Sequence, residues 1–119
     1  MQSHLVFKPL GETYKLTISN TVTSLPTIPG GALRCRIQVE SQDIRAKFNE
    51  TNSITYGVTA GIGGGFLLPV NTVSHPYYLI EGIDNMNRMR MYRGGSTDSY
   101  VNVIFEGEAE IPSYNGGLA

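Results

Sequence analysis

The chain has 119 residues, which suits one domain and is long enough to bury a core without staples. Nine basic and ten acidic side chains give a formal charge of −1, which argues against nucleic acid as the main partner and gives no reason to invoke an anionic membrane. Only 16% of residues are charged, against the usual quarter or so. Such a surface fits an assembly that covers it, and fits equally a plain β-protein rich in Thr, Ser, Asn and Gly.

No segment reaches the roughly 20 apolar residues of a membrane helix. The opening MQSHLVFKPLG has no basic region followed by a long apolar run, so a signal peptide is not expected. The expectation is a protein made and kept in a cytoplasm, or assembled there into something larger. Cys35 is the single cysteine, which excludes an internal disulfide and, on an apolar strand face, reads as a core residue.

In chain order, Leu5 to Phe7 reads as a short strand ending at Pro9. Thr13 to Ser19 alternates, with Tyr14, Leu16 and Ile18 on one face. NTVTSLPTIPGG reads as a loop, because Pro26 and Pro29 lack amide donors and Gly30-Gly31 is a break. In ALRCRIQVESQDIRAKF, Leu33, Cys35, Ile37 and Val39 alternate with Arg34, Arg36, Gln38 and Glu40. Beyond Ser41-Gln42, Ile44, Ala46 and Phe48 alternate with Arg45 and Lys47. This period of two is an antiparallel signature, one face dry and one wet. The break between the two runs fits a tight hairpin or a bend between sheets.

Asn49 to Gly65 is polar and then glycine-rich, with Ile54 to Val58 as a candidate edge strand. Phe66 to Val70 is apolar around Pro69, which suggests an edge position. Tyr77 to Glu81 reads as a strand, Gly82 to Asn87 as a turn, and Arg88 to Arg93 as a strand alternating arginine with methionine. After the turn Gly94 to Asp98 comes a last strand, Tyr100 to Glu106, which Glu108 to Ile111 can extend. About eight short strands without helical periodicity predict an all-β fold: an antiparallel β-sandwich with jelly-roll-like connections. The expected organisation is a single domain over 1–119, with a flexible N-terminal segment at 1–10 and a C-terminal tail at 113–119.

No chemical motif stands out. Gly61, Gly63, Gly64 and Gly65 are followed by Phe-Leu-Leu-Pro, without the lysine and helix that a phosphate loop requires. They read as a flexible loop, or as one that orders against a neighbouring subunit. His4 and His75 have no ligand-like neighbours at zinc spacing. No serine stands in a nucleophile elbow, and the spread acids suggest no cleft pair. Glu106, Glu108 and Glu110 alternate and read as one solvated strand face. No cofactor is expected.

Arg34, Arg36, Arg45, Lys47, Arg88, Arg90 and Arg93 hold most of the positive charge. If their strands are neighbours they form a basic patch suited to a protein interface. The alternative is a solvated sheet face paired with cross-strand acids. Met86, Met89 and Met91 read as core or interface filler. Tyr77, Tyr78, Tyr92, Tyr100 and Tyr114 could stack on a sugar or cap a core, with Tyr78→Ala as the test of the first.

The order of ALRCRIQVES, DIRAKF, a polar and glycine-rich loop, FLLPVN, YYLIEG, NRMRMYRGG and YVNVIFEGE resembles small tailed-bacteriophage virion proteins of the capsid decoration (cement) or head-completion type. The resemblance covers Ala32 to Gly107 and is one of pattern. It implies a non-enzymatic sandwich in the virion that binds the major capsid (coat) protein as a homodimer or homotrimer. A neck or tail role is a variant of the same reading, and a carbohydrate-binding module is the rival. Candidate interface residues are Arg34, Arg36, Arg88, Arg90, Gly63, Gly64, Gly65 and Tyr114. Candidate contact segments are Met1 to Leu10, Gly61 to Gly65 and Ser113 to Ala119.

Overall fold

The computed structural model describes residues 6–48 and 65–109. The candidates Gly63, Gly64 and Tyr114, the strand expected at Ile54 to Val58 and the tail from 113 lie outside them.

Eight strands and one short helix make up the described chain. In order they are β1 (Phe7–Ile18), β2 (Thr23–Ser24), β3 (Ala32–Glu40), β4 (Ile44–Phe48), β5 (Phe66–Leu68), β6 (Tyr78–Glu81), α1 (Ile83–Arg88), β7 (Met89–Arg93) and β8 (Ser99–Glu108). They form two antiparallel four-stranded sheets: β1-β8-β3-β6, called sheet I, and β2-β7-β4-β5, called sheet II. The pairings β1–β8, β2–β7, β3–β6 and β4–β5 trace one long hairpin folded back on itself. The pairings β3–β8 and β4–β7 roll that hairpin into two layers. This is the wiring of a jelly roll, as the strand pattern led one to expect.

The core lies between the sheets. Cys35, Ile37 and Val39 of β3, Ile44 and Ala46 of β4, Met89 and Met91 of β7, and Val101, Val103 and Phe105 of β8 are all buried there. These are the alternating positions of each strand, and burying each such side chain contributes about 1.5–3 kcal/mol. Met86 of α1 and Ile18 of β1 join the same cluster.

The chain passes from β3 to β4 by a bend between the sheets. Ser41 adopts φ 69° at this corner. The buried Ser99 hydroxyl faces the carbonyls of Glu40 at 2.6 Å and Gln42 at 2.5 Å. A hairpin would have placed β3 and β4 side by side, and the corner instead puts their charged faces on opposite sides of the molecule.

Four details depart from the sequence reading. The first strand does not end at Pro9, because β1 runs from Phe7 through it to Ile18. β1 is an edge strand of sheet I, so the missing amide of proline is tolerated. Residues 7–10 of the expected loose segment are therefore in the sheet, and a register irregularity between Leu10 and Tyr14 follows, where Gly11 has φ 76°.

Leu33 is not in the core. A bulge between Ala32 and Arg34 gives β3 one extra residue against β8, so Ala32 turns inward and Leu33 is 43% exposed. Phe48, last in β4, is likewise exposed. Finally, Gly82 to Asn87 is not a plain turn. Residues Ile83–Arg88 form a helix of six residues after Gly82 at φ 93°. Its Met86 is buried, and that tertiary contact supplies what so short a helix lacks by itself.

Candidate interaction surfaces

On the outer face of sheet I, Arg34 and Arg36 stand across from Glu106 and Ile104 of β8 on one side and from Glu81 and Leu79 of β6 on the other. Arg34 Nε donates to Glu106 Oε1 at 2.7 Å. Arg36 Nε lies 3.1 Å from Glu106 Oε2, without the alignment of a hydrogen bond. One carboxylate thus serves two cations. The guanidinium of Arg34 sits 3.5 Å from the centre of the Phe7 ring, and that of Arg36 sits 4.8 Å from the Tyr77 ring. The result is a continuous row: Phe7, Arg34, Glu106, Arg36, Tyr77.

Glu106 is only 6% exposed, which corrects its expected place on a solvated face. The pairing requires Arg34 and Glu106 to be opposite each other, and their separation in sequence hides that. Phe7 read only as the end of a short strand and Glu106 only as a solvated acid, so neither stood out in the sequence as part of this row. Their signal lay in the β3–β8 register, where Arg34 meets Glu106.

The basic patch imagined across three strands does not form as such. β3 belongs to sheet I, whereas β4 and β7 are neighbours in sheet II. Within sheet II, Lys47 stands opposite Arg90, and Arg45 opposite Tyr92. Arg88 ends α1 rather than starting a strand. Arg93 pairs with Asp98 at 2.9 Å. Arg90 is 7% exposed, so it cannot take part in an open patch. Its Nη1 donates to the carbonyls of Asn87 at 2.8 Å and Met89 at 2.9 Å.

Gly65 has a structural reason to be glycine. Its φ is +95°, and a Cβ there would lie 2.7 Å from the carbonyl oxygen of Ala46. It opens β5 against β4, and its own carbonyl accepts from Arg45 Nη1 at 3.3 Å.

Apolar side chains stay open at both sheet edges. Phe66 of β5 is 73% exposed, and Leu67 beside it and Phe48 of β4 are exposed as well. On sheet I, Leu79 of the edge strand β6 and Tyr77 just before it are exposed. Tyr78 is held differently: its hydroxyl donates to the Pro69 carbonyl at 2.7 Å. A shallow depression of about 270 Å³ lies beside Tyr77, with Thr13, Gln38 and Asn102 on its walls. Asn102 Nδ2 donates to Gln38 Oε1 there at 3.1 Å.

Cys35 is fully buried on the inner face of β3. Burial first, and the nearby Glu106 charge second, push its thiol from an ordinary 9.0 up to about 12. That thiol stays protonated and inert, as a core cysteine should. Among the described residues, no group of three His, Cys, Asp or Glu is placed to hold a metal ion, and no helix is long and apolar enough to cross a membrane. Set against family models, curated proteins and solved structures, the chain matches none of them.

Proposed function

We propose that this chain is a non-enzymatic structural protein of a tailed-bacteriophage virion, binding the assembled coat shell as a decoration or cement protein. The observation that carries this reading is the pair of open apolar edges, Phe66 and Leu67 in β5 of sheet II and Leu79 in β6 of sheet I, on a domain whose outward arginines are largely tied up. Apolar side chains clustered on a small domain mark contact surfaces, and edge strands are the natural place for another chain to join. Jelly rolls recur in viral capsids, although a fold alone does not assign a function. The pattern resemblance to decoration and head-completion proteins supplies the partner: the major capsid protein, and further copies of this chain as a dimer or trimer. A ligand that binds only the assembled shell stabilises it by mass action, which is what a cement protein does.

The test is the number of copies per particle, measured by quantitative mass spectrometry of purified virions of the source phage. A count comparable to the coat protein supports decoration. A few copies per particle would move the role to the neck or tail. Absence from the particle would defeat the reading.

A second reading, a carbohydrate-binding module, is favoured by the depression beside Tyr77. An aromatic ring next to paired amides suits a sugar. Tyr77, rather than Tyr78, is then the residue to change, because the Tyr78 hydroxyl is already engaged. Glycan-array binding lost in Tyr77→Ala would support this reading, and no binding to any glycan would remove it.

A further inference from the structure

Arg90 is a buried cation that meets no counter-charge among the described residues. Its side chain lines a cleft of about 530 Å³ between the chain following β2 and the helix α1. No residue lining that cleft is acidic, and Arg90 pairs with no carboxylate among the described residues. Its Nη1 is engaged by the carbonyls of Asn87 and Met89. The first of these belongs to α1, so Arg90 also serves the carbonyl end of that helix. Its Nε is buried and has no hydrogen-bond partner among the described residues. A charge taken out of water normally has a partner, and a guanidinium edge left unmatched is shaped for a carboxylate.

The rest of the cleft indicates what the carboxylate is attached to. Ser24, Thr27 and Asn87 offer polar groups, while Leu25, Ile28 and Ile83 give it apolar walls. A free inorganic anion has no use for those walls. We infer that this cleft is a docking site for a partner protein segment that carries an aspartate or glutamate next to an apolar side chain, with Arg90 as the anchor for the carboxylate. The inference does not depend on whether the partner is a coat protein, so the copy-number measurement can fail while this one succeeds.

The experiment uses the full chain labelled with ¹⁵N and with ¹³C at the methionine methyls, followed by NMR. The probes are N-acetyl-Leu-Glu-amide, N-acetyl-Leu-Gln-amide and inorganic phosphate. The Glu peptide is expected to shift the Arg90 Nε resonance and the methyl of Met86, which also lines the cleft, in a saturable way. The Gln peptide is expected to bind at least tenfold more weakly. Arg90→Met should abolish the response, with Met89 and Met91 reporting that the core is intact. Should that variant fail to fold, Ser24→Glu serves in its place. Ser24 faces Arg90 across the β2–β7 ladder, so a glutamate there should fill the site and block the peptide. Equal binding of the Glu and Gln peptides, an equal response to phosphate, or no saturable shift would each overturn the proposal.

Discussion

Two arginine environments on one small domain differ in depth and in counter-charge. On sheet I, Arg34 and Arg36 share the carboxylate of Glu106 and lie against the rings of Phe7 and Tyr77. Beneath α1, Arg90 is buried more deeply and meets, among the described residues, the backbone carbonyls of Asn87 and Met89. The first arrangement holds its own carboxylate, so its arginines are structural. The second meets no carboxylate among the described residues, which is the basis of the proposal that it receives one. Burial of a charge therefore says little about function until its partners are counted.

The largest way to break the comparison is Glu106→Gln. It takes the shared carboxylate from the mostly buried Arg34 and the more exposed Arg36 and should cost about 3 kcal/mol in urea unfolding. A loss below about 0.5 kcal/mol would mean that the row on sheet I is no more than a surface ion pair. Arg34→Met should cost about 1–2 kcal/mol, because it removes the well-aligned hydrogen bond and the contact with Phe7 while Arg36 still neutralises Glu106.

Arg90→Met sharpens the contrast. It removes a buried cation but frees the carbonyls of Asn87 and Met89, two opposed effects that should leave stability within about 1 kcal/mol of the parent. A loss as large as that of Glu106→Gln would show that the two backbone carbonyls already satisfy Arg90, which would weaken the case for a docked carboxylate.

The smallest effect is expected at high pH. The Cys35 thiol holds its proton more tightly folded than unfolded, since its value is raised from 9.0 to about 12. Its contribution is thus fully present below pH 9 and is lost as pH rises from 9 towards 12. Glu106 is the second cause of that shift, so Glu106→Gln should let Cys35 titrate at a slightly lower pH. The ¹³Cβ shift of Cys35 followed against pH in the folded protein reads this directly, and identical profiles would remove Glu106 as a cause.

Much of this molecule was legible in its alternation. The inward positions Cys35, Ile37 and Val39 of β3 and Ile44 and Ala46 of β4 followed from a period of two, the edge placement of β5 from Pro69, and the core role of Cys35 and the methionines from apolar spacing. An alternating strand must bury one face, and that demand is local. The partner across each strand is not a local matter. Whether β3 turned into a hairpin or crossed to the other sheet rested on one corner held by Ser99, nearly sixty residues away in sequence. Register across β3 and β8 likewise brought Glu106 to Arg34, off the solvated face expected for it, and burial took Arg90 out of the expected basic patch. Strand period fixes which side a residue faces, whereas the charge and cover it meets there depend on register between distant segments, which only the tertiary structure decides.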